Sequence, residues 1–162
     1  MLKICQKPNE NQYLYLMNAI LTIVLLSLTL TPHGMSKEIT RLKSCPKSPN
    51  CVCTQDEIKK KQMQPLTFTS HADQAEDKLK NLINKLGQAT LISSEGNYYH
   101  YTFITKIGKF TDDVEFLIVP ETKLIHFRSA SRTGYGDFGK NKRRMKKIQN
   151  LWNTAINETE PR

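Results

Sequence analysis

The stretch Val114-Glu115-Phe116-Leu117-Ile118-Val119-Pro120-Glu121-Thr122-Lys123-Leu124-Ile125-His126-Phe127-Arg128-Ser129-Ala130-Ser131 decides the fold. Two strand-like runs, Val114–Val119 and Lys123–Ser131, flank a tight connection that proline begins. With Pro120 facing Lys123, paired residue numbers sum to 243. That register sets Phe116 opposite Phe127 and Ile118 opposite Ile125 on one face. The other face pairs Glu115 with Arg128 and Leu117 with His126. Apolar pairs on one side and an opposite-charge pair on the other predict a sheet with one buried face.

Working outward, Leu66–Thr69, Ala89–Ser93 and Tyr98–Thr105 also read as strands. Gly108 sits in the connection after Tyr98–Thr105, and matching apolar faces puts Phe103 near Val114 and Tyr101 near Phe116. His100 then lies beside Leu117, with His126 on its far side. Ala75, Leu79, Leu82, Ile83 and Leu86 recur at helical spacing, with Gly87 to stop the helix. Ser70-His71-Ala72-Asp73 reads as its capping box, with Asp in the Glu position. Met145, Ile148, Leu151, Trp152, Ala155 and Ile156 mark a second amphipathic helix, with Asp137 near its start. The fold class is therefore α+β: an antiparallel β meander packed with two amphipathic helices, preceded by an N-terminal hydrophobic segment.

That segment runs uncharged from Tyr13 to Leu30, eighteen residues, densest from Ala19. Residues 1–36 read as a signal peptide, with Gly34 and Ser36 at −3 and −1 of a cut, or as a membrane anchor. Export to the periplasm or cell envelope, with cleavage near Ser36, is the favoured reading. A single-pass anchor is the alternative. Lys37, Arg41, Lys43 and Lys47 outnumber Lys3 and Lys7, which for an anchor would keep the domain cytoplasmic. Residues 37–44 read as a linker and 45–157 as a single domain.

The chain carries 162 residues and a formal charge of +9, and residues 37–162 keep 22 basic against 14 acidic residues, or +8. This length excludes a barrel enzyme or a two-domain nucleotide-binding enzyme. The charge invites an anionic partner. Cys45 and Cys51 bracket Pro46 and Pro49, and a disulfide between them is the natural pairing in an oxidising compartment. So short a loop contributes about 2 kcal/mol in the chain-entropy account. Cys53 is left over and reads as a small buried residue. C-x5-C-x-C completes no four-ligand zinc shell, and no phosphate P-loop or nucleophile elbow is present, so neither metal nor cofactor is expected.

Three blocks stand out: Ser48-Pro49-Asn50-Cys51-Val52 with Cys45 upstream, Thr111-Asp112-Asp113-Val114-Glu115-Phe116, and Arg128-Ser129-Ala130-Ser131-Arg132 through Gly134, Asp137, Gly139 and Asn141 to Arg143-Arg144. Together they resemble a known family, the bacterial and plastid proteins grouped as domain of unknown function 1499. Cys53 stands where members commonly carry a small hydroxyl residue. The resemblance implies an N-terminal signal or membrane segment and supplies no activity.

Arg128, Ser131, Arg132, Asn141 and Arg144 form the candidate anion-binding set, because arginines, hydroxyls and free helix N–H groups suit a phosphate or carboxylate. The competing expectation pairs Arg128 and Arg132 with Glu115, Asp113 and Asp112. The hairpin register gives a separate expectation: Arg128 couples to Glu115, while Arg132, where the strand gives way to the glycine loop, stays spare. A second polar cluster comprises His100, Asp112, Asp113, Glu115 and His126, a pattern fit for acid–base chemistry. Six of eight residues in Lys140–Lys147 are basic, which suits an anionic membrane surface or simple solvation. The favoured function is a non-enzymatic exported or membrane-associated module binding an anionic ligand or partner. Its rivals are a small acid–base or hydrolase-like enzyme using the Glu115/His126/Arg128 face, and a membrane-anchored cytoplasmic regulator. An anionic small molecule or anionic membrane surface is the expected partner class, and export disfavours nucleic acid.

Overall fold

The computed structural model describes residues 39–105 and 108–157, with Leu14, Tyr15 and Met17 near the N-terminus. The hydrophobic segment as a whole and the cut after Ser36 lie outside the described residues. The chain divides into two compact units, Met1–Lys37 and Glu38–Arg162, and the second carries the fold. Among the described residues no helix is long and apolar enough to cross a membrane.

The elements in chain order are β1 (Cys51–Cys53), β2 (Leu66–Thr67), α1 (Ala72–Lys85), β3 (Ala89–Glu95), β4 (Tyr98–Ile104), β5 (Thr111–Val119), β6 (Leu124–Ser131) and α2 (Lys140–Asn157). The strands make one six-stranded sheet in the order β1-β6-β5-β4-β3, with β2 also on β6. Every strand pair is antiparallel. The β5–β6 register is the one the hairpin predicts: Phe116 faces Phe127, Glu115 faces Arg128 and Leu117 faces His126. Lys123 closes the turn with a left-handed backbone at φ 56°. Its ammonium donates to the Ser70 carbonyl at 2.9 Å.

The β4–β5 register departs from expectation by two residues. Tyr101, not Phe103, faces Val114, and His100 faces Glu115 rather than Leu117. The cause lies in the connection. Thr105 and Phe110 close it, with the Thr105 N–H on the Phe110 carbonyl at 2.9 Å. The Phe110 N–H donates to Thr105 Oγ1 at 3.0 Å. A slip of two keeps every side chain on its own face, so apolar patterning cannot detect it.

β1 is absent from the sequence reading, which treats the cysteine run as a loop. It pairs with β6 through Cys51 and Ala130, Val52 and Ser129, and Cys53 and Arg128. β2 takes up the same edge further along, at Ile125 and Leu124. In the gap between them the Phe127 N–H donates to Thr54 Oγ1 at 3.1 Å, so a side chain completes the ladder.

Both helices cover one face of the sheet. Ala75, Leu79, Leu82 and Ile83 of α1 and Met145, Ile148 and Trp152 of α2 are buried there against Tyr101, Phe103, Val114, Phe116, Ile125 and Phe127. Trp152 is fully buried, and its indole N–H reaches the Thr67 carbonyl at 2.8 Å, so no polar group is stranded. Leu151, expected in this core, is instead exposed. The capping box does not form either. His71 is the N-cap without a side-chain hydrogen bond, and Ser70 Oγ donates to the His71 carbonyl. The opposite face carries a smaller apolar cluster of Leu42, Cys45, Cys51, Cys53, Leu117 and Ala130. Leu42, within the expected linker, is buried there, and its N–H donates to Gln55 Oε1 at 2.9 Å.

Candidate functional site

Three polar assemblies lie around β6 and the first turns of α2. The first lies beneath the start of α2, on the helix-covered face. Asp137 receives the Gly139 N–H at 2.9 Å and the Asn141 N–H at 2.7 Å, satisfying helix-start donors as a capping carboxylate should. Asn141 is 1% exposed. Its amide donates to the Asn50 carbonyl at 3.0 Å, Ser131 Oγ at 3.0 Å and Asp137 Oδ2 at 2.8 Å. Its carbonyl oxygen accepts from Ser129 Oγ at 2.6 Å and Arg144 Nη1 at 2.7 Å. Arg144 Nη2 pairs with Asp112 at 2.5 Å, and the guanidinium lies 4.8 Å from the Phe103 ring centroid. Asn50, Asp112, Ser129 and Asn141, from all three signature blocks, are thus buried in one satisfied network. Such a network fixes geometry and leaves little for a ligand.

The second assembly lies on the other face of the same strands. Arg128 pairs with Glu115 at 3.2 Å, with side chains 11% and 15% exposed. Arg128 Nε is buried without a hydrogen-bond partner among the described residues. Arg132 grips Asp113 through Nε at 3.0 Å and Nη2 at 2.8 Å. This corrects the expectation of a spare Arg132. The Arg132 N–H still donates to the Thr111 carbonyl at 3.0 Å, so strand pairing continues past Ser131 and holds the side chain over Asp113. His100 Nε2 shares a 2.7 Å hydrogen bond with the same carboxylate. Burial alone would push the Asp113 carboxyl up, but the bonds from Arg132 and His100 outweigh it and hold it below the usual carboxylate range.

The expected cluster of His100, Asp112, Asp113, Glu115 and His126 is therefore divided. Asp112 lies on the helix-covered face. His126 shares a 3.0 Å hydrogen bond with Thr54 Oγ1 one row away, and burial lowers its pKa. Cys45 and Cys51 form the expected disulfide. Cys53 is free and buried, and desolvation raises its thiol pKa, so it is held neutral. Among the described residues no three His, Cys, Asp or Glu side chains are placed to hold a metal ion.

The third assembly escapes the sequence reading. A cavity of about 450 Å³ is lined by Lys140, Arg143, Arg144 and Lys147 of α2 with Leu86, Gln88, Phe103 and Thr105. No carboxylate lines it. Asp112 neutralises Arg144, Arg143 Nη1 donates to the Phe138 carbonyl at 2.6 Å, and no ion pair engages Lys140 or Lys147 among the described residues. The signal was present in the basic run. What the sequence lacked was the placement of the end of β4, with Phe103, opposite one face of α2.

Fold and site together define a small, disulfide-bonded α+β domain with one helix-covered sheet face and a basic cavity at the start of its last helix. The chain belongs to the family described as Protein of unknown function (DUF1499), whose model matches residues 41–151. No curated protein and no solved structure matches it.

Proposed function

We propose that this domain is a non-enzymatic module that binds an anionic ligand in the cavity walled by the first turns of α2. One observation carries the reading: Arg128, Arg132 and Arg144 are matched by Glu115, Asp113 and Asp112, whereas Lys140 and Lys147 of α2 face a concave space that no carboxylate lines. Cations converging on an uncompensated cavity attract phosphate or carboxylate groups, and the Phe103 and Leu86 wall lowers the local dielectric. The sequence-derived anion set keeps only Arg144 here, with its guanidinium shared between Asp112 and the cavity. An acid–base enzyme has less support, because Glu115 is committed to Arg128 while His126 bonds Thr54. The Cys45–Cys51 disulfide supports an exported domain, and cleavage near Ser36 would leave it free of the apolar segment.

Titration with inorganic phosphate, followed by backbone amide NMR, tests the site. Shifts should concentrate at Lys140–Lys147 and Phe103. Shifts centred on Arg132 and Asp113, or none, would refute it.

A further inference from the structure

Resting on that reading, we propose that the anion is the headgroup of a bilayer lipid, and that Tyr135 and Phe138 insert beside it to seat the domain on an anionic membrane surface. The glycine loop between β6 and α2 presents these two aromatic rings almost wholly to solvent, Tyr135 at 79% and Phe138 at 96% exposed. Among the described residues these are the two most exposed large hydrophobic side chains, and their sharing one short loop marks a contact surface.

The outward pose of Phe138 is built in. Its backbone is left-handed at φ 53°, which costs a side-chain-bearing residue, and Gly139 follows at φ 72°. The Arg143 guanidinium holds the Phe138 carbonyl at 2.6 Å. Asp137, immediately before, is fixed by the Gly139 and Asn141 N–H groups and by the Asn141 amide. The buried Asn141 network therefore anchors the base of the aromatic tip, which gives that network a purpose beyond packing.

Cations stand on both sides of the tip. Arg143 joins it to the cavity that Lys140 and Lys147 line. On the other side Lys47, Lys60 and Lys142 line a second concavity of about 370 Å³ together with Asp137 and Gly139. The one carboxylate there is occupied by the three donors just named. Exposed aromatic rings on a loop flanked by basic residues are what an anionic bilayer surface selects. Basic and aromatic groups also suit single-stranded nucleic acid. A disulfide-bonded domain favours the lipid, since oxidising compartments hold membranes and little nucleic acid.

The test uses the full chain carrying Tyr135→Trp and vesicles of phosphatidylcholine with or without phosphatidylglycerol, some with brominated acyl chains. Trp152 is buried in the core, so quenching reports the loop and not the N-terminal segment. Quenching is expected only with the anionic vesicles. It should fall with added salt and drop roughly tenfold in apparent partitioning with Phe138→Asn, a residue that tolerates the left-handed backbone. Phosphate-induced amide shifts in the cavity should survive Phe138→Asn. If those shifts persist in the parent but the loop is never quenched, the lipid inference falls and the anion site stands. If both are absent, both fall. Binding of a single-stranded oligonucleotide that Phe138→Asn abolishes, without vesicle quenching, would also overturn the lipid assignment.

Discussion

Asp112 and Asp113 are adjacent in sequence and point to opposite faces of the same strand, and their fates differ. Asp112 is 1% exposed and locked to Arg144 beneath the helices. Asp113 is shared between His100 and an Arg132 whose side chain is 48% exposed. Identical carboxylates with identical partner types thus carry different weight. Beneath the helices, losing a partner strands a charge in low dielectric, whereas beside the half-exposed Arg132 water replaces it.

The largest effect should come from breaking the buried side. Arg144→Ala or Asp112→Ala should each cost about 3–5 kcal/mol in denaturant unfolding, since either leaves the other charge uncompensated. Asn141→Ala strands several buried donors and acceptors and should fall in the same range, at about 1–3 kcal/mol per group left unpaired. Next, Arg128→Ala or Glu115→Ala should cost roughly 3 kcal/mol, and a double-mutant cycle should show strong coupling between them. Absence of coupling would remove the distinction between this pair and Arg132.

Acid should expose the open face in two steps. His126 has a folded-state pKa below its ordinary 6.5, because burial disfavours its charged form. Its contribution is therefore complete above about pH 6.5 and is lost as pH falls through the folded value. His126→Gln should flatten the decline in melting temperature below neutrality. Asp113, also lowered, contributes fully above 3.8 and loses that contribution at more acidic pH. Asp113→Asn should remove that second decline. The smallest effect belongs to Arg132→Ala, whose melting temperature should match the parent, because an exposed pair is weak and salt-screened.

Much of this arrangement was legible in the sequence, and the residues explain where legibility ended. The β5–β6 hairpin could be read because Pro120 and Lys123 fix the turn, and alternation then decides the faces. The β4–β5 pairing could not, because a two-residue slip leaves that alternation unchanged. β1 is three residues long, too short for periodicity to show. The Glu115–Arg128 pair followed from the hairpin register, but the grip of Arg132 on Asp113 required knowing that the ladder runs past Ser131. Asn141 was singled out as an anion ligand, yet its amide is used up by Asn50, Ser131 and Asp137, a convergence of distant segments that spacing does not encode. Nothing in the sequence singles out Phe138. Only the tertiary structure tells an exposed ring from a buried one.

The division between committed arginines and uncommitted lysines is the central claim, and thermal melting with and without inorganic phosphate tests it most directly. The parent and Arg132→Ala should both be stabilised by phosphate, while Lys140→Gln/Lys147→Gln should melt like the parent in its absence and gain nothing from it. Phosphate stabilisation lost in Arg132→Ala and kept in the lysine double variant would contradict the account.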